Sequence, residues 1–129
     1  MGRYARERPG AAAIALTTDT SILTAVANDY GFENIFARQI EALCAPGDVV
    51  VGISTSGQSA NVLAGIEKAR AIGAATIGFT GGDGGRLAEL VDTALIAPDR
   101  EVSRIQECHI LMGHIICDWV EAELAAPEG

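Results

Sequence analysis

The sequence predicts an α/β fold with a parallel sheet sandwiched between helices in three layers. Two observations carry this. Short apolar runs alternate with helix-like segments along the chain. The runs are continuous, without the period-two alternation of a half-exposed antiparallel strand, so they belong to strands buried on both faces.

Ala11 to Leu16 is the first apolar run, bounded by Pro9-Gly10 and Thr17-Thr18-Asp19, and reads as a strand. Ser21 to Ala27 and Glu33 to Leu43 read as helices, separated by Asn28-Asp29-Tyr30-Gly31-Phe32 with Gly31 as a stop. Ala45-Pro46-Gly47-Asp48 turns into a second strand, Val49 to Ile53. Ala60 to Ala71 is a helix ending at Gly73, Ala74 to Phe79 a third strand, and Arg86 to Val91 a short helix. Thr93 to Ala97 is a fourth strand, stopped by Pro98, and Glu101 to Leu124 is one long helix before a frayed tail, Ala125 to Gly129. Residues 1–124 read as one domain, with no internal repeat or linker.

Ligands of such sheets bind outside the carboxyl ends of the strands. The polar stretches Thr17 to Ser21, Ser54 to Ser59, Thr80 to Asp83 and Asp99 to Ser103 should therefore line one edge. Ser54-Thr55-Ser56-Gly57-Gln58-Ser59 is the most specific. The first N–H groups of a helix lack internal partners, and the helix dipole favours negative charge there. Hydroxyls at Ser54, Thr55, Ser56 and Ser59 add donors, and Gly57 permits close backbone approach. The turn lacks a lysine and the Gly-x-x-x-x-Gly-Lys pattern, which favours a sugar phosphate over a nucleoside triphosphate. The alternative is a polar loop in which Ser59 caps the helix.

The 129 residues carry 17 Asp plus Glu against 9 Lys plus Arg, a formal net charge of −8, which argues against nucleic acid as a ligand. Cys44, Cys108 and Cys117 are odd in number, without metal-type spacing, and are expected as buried, reduced thiols. No stretch reads as a signal peptide or a bilayer-spanning run, so no membrane association and a cytoplasmic location are expected.

Ile105, Cys108, Ile110, Leu111, Met112, Ile115, Ile116, Cys117, Trp119 and Val120 cover most of the circumference of the last helix. A helix apolar nearly all round is buried, and a domain this small seldom surrounds one alone, so a homo-oligomer is expected. The same helix carries Gln106, Glu107, His109 and His114. Gln106 and His114, eight residues apart, share a face about 12 Å apart along the axis. They could approach one metal, or each histidine could be a satisfied group in a buried helix. Asn28-Asp29 likewise reads either as ligand contacts or as a helix-terminating turn.

Gly2-Arg3-Tyr4, Asn28-Asp29-Tyr30-Gly31-Phe32, the Gly52 to Asn61 stretch and Arg104-Ile-Gln-Glu-Cys-His109 followed by His114 resemble the phosphoheptose isomerase (sedoheptulose 7-phosphate isomerase) family of the sugar-isomerase (SIS) domain superfamily. The resemblance runs from Met1 to about Glu123. It implies a flavodoxin-like SIS fold and interconversion of sedoheptulose 7-phosphate and D-glycero-D-manno-heptose 7-phosphate through an enediol, at the head of activated-heptose synthesis. It implies that Ser54, Thr55, Ser56 and Ser59 hold the phosphate, that Asn28 and Asp29 contact the sugar, and that Gln106 contacts the substrate. It also implies one zinc ion per subunit touched by Gln106 and His114, His114 as the acid–base histidine, and a tetramer.

Family members extend further at the N-terminus, through a first helix, a first strand, a Gly-Asn-Gly-Gly-Ser loop and a helix bearing a histidine and the glutamate base. No segment of this chain replaces them, so the domain is expected to be N-terminally incomplete, with Met1 falling in mid-domain, and the chain alone is expected to be inactive. A non-catalytic SIS platform of the kind that binds the bacterial replication initiator is the alternative, and a sugar-phosphate-sensing module a third. Gln106 and His114 favour the isomerase, because a platform needs neither.

Overall fold

The computed structural model describes residues 2–125. Five helices and three strands follow one another as α1 (Thr20–Tyr30), α2 (Ile35–Leu43), β1 (Val49–Ile53), α3 (Ala60–Ile72), β2 (Ala75–Gly81), α4 (Gly85–Leu90), β3 (Thr93–Ala97) and α5 (Val102–Ala125). The strands form one parallel sheet in the order β1-β2-β3, with Val49 opposite Ala75 and Ile77 opposite Thr93.

Side-chain parity sorts the helices. Gly52 and Gly78 are register partners, and the space beside them holds Val62 and Ile66 from α3, Leu87 of α4 and Val91 at its C-cap. Three residues on, Gly81 points to the opposite face and meets Ile105 of α5. The expected three layers are present, with α3 and α4 on one face and α5 on the other. Leu63, Ile66 and Leu87 form one core cluster and Ile40, Ala69 and Ala74 another, with Val50 packed against both.

Local chemistry sets the ends. Asp19 caps α1, its carboxylate accepting from the Ile22 N–H at 2.9 Å. Gly73, left-handed at φ 93°, ends α3 by donating to the carbonyls of Ala69 and Arg70.

Four expectations need correction. Ala11 to Leu16 is not a strand. A strand exists only against a neighbour that shares its hydrogen bonds, and among the described residues none lies alongside; Leu16 packs on the Ile40 cluster and its carbonyl accepts from Gln39 Nε2 at 3.0 Å. Asn28 and Asp29 are not an inter-helix turn but the last turn of α1, which runs on until Gly31 at φ 89°. The expected Glu33–Leu43 helix begins as a 3-10 turn, Phe32–Asn34. The cysteines are not all buried: Cys44 and Cys108 are half-buried and Cys117 is exposed. Cys117 lies on the outer side of α5, where Ile110, Leu111, Ile115, Trp119 and Val120 also stand exposed. β1 adds Val49, Val51 and Ile53, exposed because α5 covers only β2 and β3. Ala125 closes α5, and the rest of the expected tail lies outside the described residues, as does Met1. Among the described residues no helix is long and apolar enough to cross a membrane.

Candidate functional site: a hydroxyl loop at the helix α3 N-terminus

The loop from Ser54 to Ser59 joins β1 to α3 at the carboxyl edge of the sheet. Ser54 extends the ladder, its N–H donating to the Phe79 carbonyl at 2.9 Å, and its side chain is buried. The Ser54 and Ser59 hydroxyls lie 2.9 Å apart and hydrogen-bond to each other. Ser59 occupies the N-cap position of α3 but makes no capping bond with its side chain. The loop is therefore braced from beneath, and the α3 N-terminus is not closed by its own cap. Thr55 is half-buried; Ser56 is exposed, its hydroxyl accepting from the Gln58 N–H at 3.2 Å.

A second loop fixes this one from the side. Gly57, at φ 63°, donates to the Ser54 carbonyl at 3.0 Å and accepts from the Leu87 N–H at 3.0 Å. A Cβ on Gly57 would lie 2.1 Å from the Gly84 carbonyl oxygen and 2.9 Å from Thr80 Oγ1. Thr80, fully buried, donates its hydroxyl to that same Gly84 carbonyl at 3.1 Å. The close approach that Gly57 allows is thus to the β2–α4 loop. That loop joins the next, because the Gly82 N–H donates to the Ala97 and Asp99 carbonyls. The Glu101 and Arg100 N–H groups bond the Asp99 carboxylate and hold its pKa below the ordinary value.

Three of the four expected polar stretches meet in this way. The fourth, Thr17 to Ser21, instead starts α1 through Asp19. The α1 corner still reaches the loop. Phe32 and Glu33 line, with Ser59, Ala60 and Asn61, an open hollow of about 400 Å³. Asn28 and Asp29 are exposed, the Asn28 amide donating to Asp29 Oδ1 at 2.8 Å, so neither side chain caps the backbone.

Helix α5 is seated by two residues. Ile105 fills the space beside Gly81, and His109 Nε2 donates to the Thr80 carbonyl at 3.0 Å. His109 is buried and is the satisfied histidine that one reading of the sequence anticipated. His114 is neither buried nor bonded that way; it is exposed, with Tyr4 5.8 Å away ring to ring. Gln106 is exposed too. Among the described residues no three His, Cys, Asp or Glu side chains come together as a metal site. Two donors do not complete a zinc shell, so the described residues alone do not fit zinc.

The chain matches the SIS domain model over residues 1–81, more than half its length. The chain belongs to the SIS domain family. The chain is 59% identical over 121 residues to a phosphoheptose isomerase of Aquifex aeolicus (strain VF5), covering 94% of this chain and 63% of the relative. It is 56% identical over 124 residues to that of Helicobacter pylori (strain Shi470), covering 96% and 65%. Among solved structures, a phosphoheptose isomerase from Neisseria gonorrhoeae superposes with a TM-score of 0.83 at 50% identity, over 84% of this chain and 62% of that one. One from Francisella tularensis gives 0.87 at 42%, over 89% and 62%. The chain thus spans less than two thirds of these relatives' length.

One buried residue that the sequence reading passed over is Glu121 of α5. Its carboxylate accepts from the N–H groups of Tyr4, Ala5 and Arg6 at 2.6, 2.5 and 2.7 Å, and Arg8 Nε lies 3.2 Å away. Burial raises its pKa, but the N–H donors and Arg8 outweigh that and bring it to about 2.

Proposed function

We propose that this chain is part of a sugar-phosphate isomerase that interconverts sedoheptulose 7-phosphate and D-glycero-D-manno-heptose 7-phosphate. The observation that carries the reading is the hydroxyl loop over an α3 N-terminus not closed by its own cap, in a chain 59% identical to a phosphoheptose isomerase. Ser54, Thr55, Ser56 and Ser59 receive the phosphate, with Ser54 and Ser59 bracing the loop and the first-turn N–H groups of α3 facing the anion. Asn28 and Asp29 contact the sugar from the α1 corner beside the hollow. His114 serves as proton donor and acceptor for the substrate oxygens, and Gln106 contacts the substrate.

Zinc is proposed as the cofactor, with Gln106 and His114 contributing donors and the remaining donors coming from outside the described residues. When bound, it would polarise substrate oxygens. The exposed apolar residues of α5 and β1 support a homo-oligomer, proposed as a tetramer, and a cytoplasmic location is proposed.

Titration with inorganic phosphate and with sedoheptulose 7-phosphate, followed by amide NMR, tests the site. Shifts concentrated at residues 54–61 are expected, with the sugar phosphate adding shifts at Asn28 and Asp29. Saturable binding that bypasses this loop would overturn the assignment. Because the described residues alone do not complete a metal site, the 129-residue chain by itself is expected to show no turnover.

A further inference from the structure

We propose that Glu121 is a positioning residue for His114, anchoring the Gly2–Arg8 segment along one face of α5 so that the Tyr4 ring is held against the His114 imidazole. The inference rests on the reading of His114 as the acid–base residue, and extends it to what fixes that side chain.

Residues 114, 118 and 121 are spaced by four and three, so they form one stripe on α5. Each engages the N-terminal segment. His114 lies 5.8 Å from the Tyr4 ring, at 40° between planes. Asp118 Oδ1 accepts from Arg6 Nη1 at 2.7 Å. Glu121 accepts from the three consecutive N–H groups of residues 4–6, with Arg8 alongside. These contacts differ in weight. The Arg6–Asp118 pair is about half exposed on both sides, and the Arg3–Glu7 pair is internal to the segment and more exposed. Exposed pairs of this kind hold little in place.

Glu121 is 1% exposed, and its charge is met by three backbone donors at once. Charge-assisted bonds are the strong ones, and breaking such a buried set leaves donors unsatisfied. An apolar residue at 121 could cover the same surface, but it would not select one backbone conformation for residues 4–6. Tyr4 is the first residue of that trio, so these bonds fix the backbone from which its ring projects toward His114.

The experiment uses the purified 129-residue chain at fixed neutral pH. It reads the ring resonances of His114 by NMR and tryptic cleavage after Arg3 and Arg6. The His109 and Thr80 signals report whether α5 remains seated. In Glu121→Gln the His114 resonances are expected to move, and cleavage to accelerate about tenfold or more. Tyr4→Ala is expected to move His114 without the gain in cleavage, and Tyr4→Phe to do neither. Unmoved His114 resonances in Glu121→Gln overturn the proposal, and faster cleavage with His114 unmoved reduces Glu121 to a structural tether. Should Glu121→Gln unfold, the milder Arg8→Gln takes its place with the same expected and overturning results. Failure of the acid–base reading would show separately, as a phosphoheptose isomerase relative that keeps its turnover when its histidine matching His114 is replaced by Ala.

Discussion

A methyl group added at Gly57 has nowhere to go. It would lie 2.1 Å from the Gly84 oxygen, on a backbone at φ 63° that side chains rarely adopt. Gly57→Ala is expected to destabilise the fold by about 2 kcal/mol or more, read as a lower urea midpoint, and to weaken phosphate binding as the loop shifts. The hydroxyls of this loop were legible because four of them precede a helix. The partner of Gly57 was not, since which two loops touch is decided by the sheet rather than by neighbours in sequence. Glu121 makes a separate prediction. Its folded pKa of about 2 lies below the ordinary 4.5, so its stabilisation is complete above that value and is lost as the pH falls toward 2. Thermal midpoints should therefore drop between pH 4.5 and 2 more steeply in the parent chain than in Glu121→Gln.

At the scale of elements, the strands after residue 48 and the helices between them could be read from their apolar runs, with Gly73 ending α3 and Pro98 following β3. Ala11 to Leu16 has the composition of a strand, yet composition supplies no hydrogen-bond partner. It remains irregular while Leu16 packs in the core. Asn28 and Asp29 failed in the other direction, since Gly31 and not the polar pair sets the end of α1. The seating of α5 depends on His109. Removing its donor from the Thr80 carbonyl in His109→Leu is expected to cost about 1–2 kcal/mol, and His109→Gln, which restores an amide donor, should recover part of it in the same denaturation experiment. Amide shifts in Gly84 and Gly57 should accompany the loss, because Thr80 also bonds the Gly84 carbonyl.

For the whole molecule, the apolar circumference of α5 pointed to burial, and the chain by itself leaves much of that circumference open, Trp119 at 69% among it. If the proposed oligomer forms through this face, Trp119→Glu is expected to lower the mass measured by light scattering while leaving the sheet intact. The bonds between Glu121 and residues 4–6 were invisible in the sequence because they span 115 to 117 residues. Closing so long a loop carries an entropy cost that grows with its length, and it is met only when little else remains to be ordered. The clasp should therefore be missing from the folding transition state. Stopped-flow chevrons of Glu121→Gln should show an unchanged folding arm and a faster unfolding arm; a slowed folding arm would place the clasp in the nucleus instead. During synthesis, residues 4–6 must wait until Glu121 of α5 has been made before they find their place.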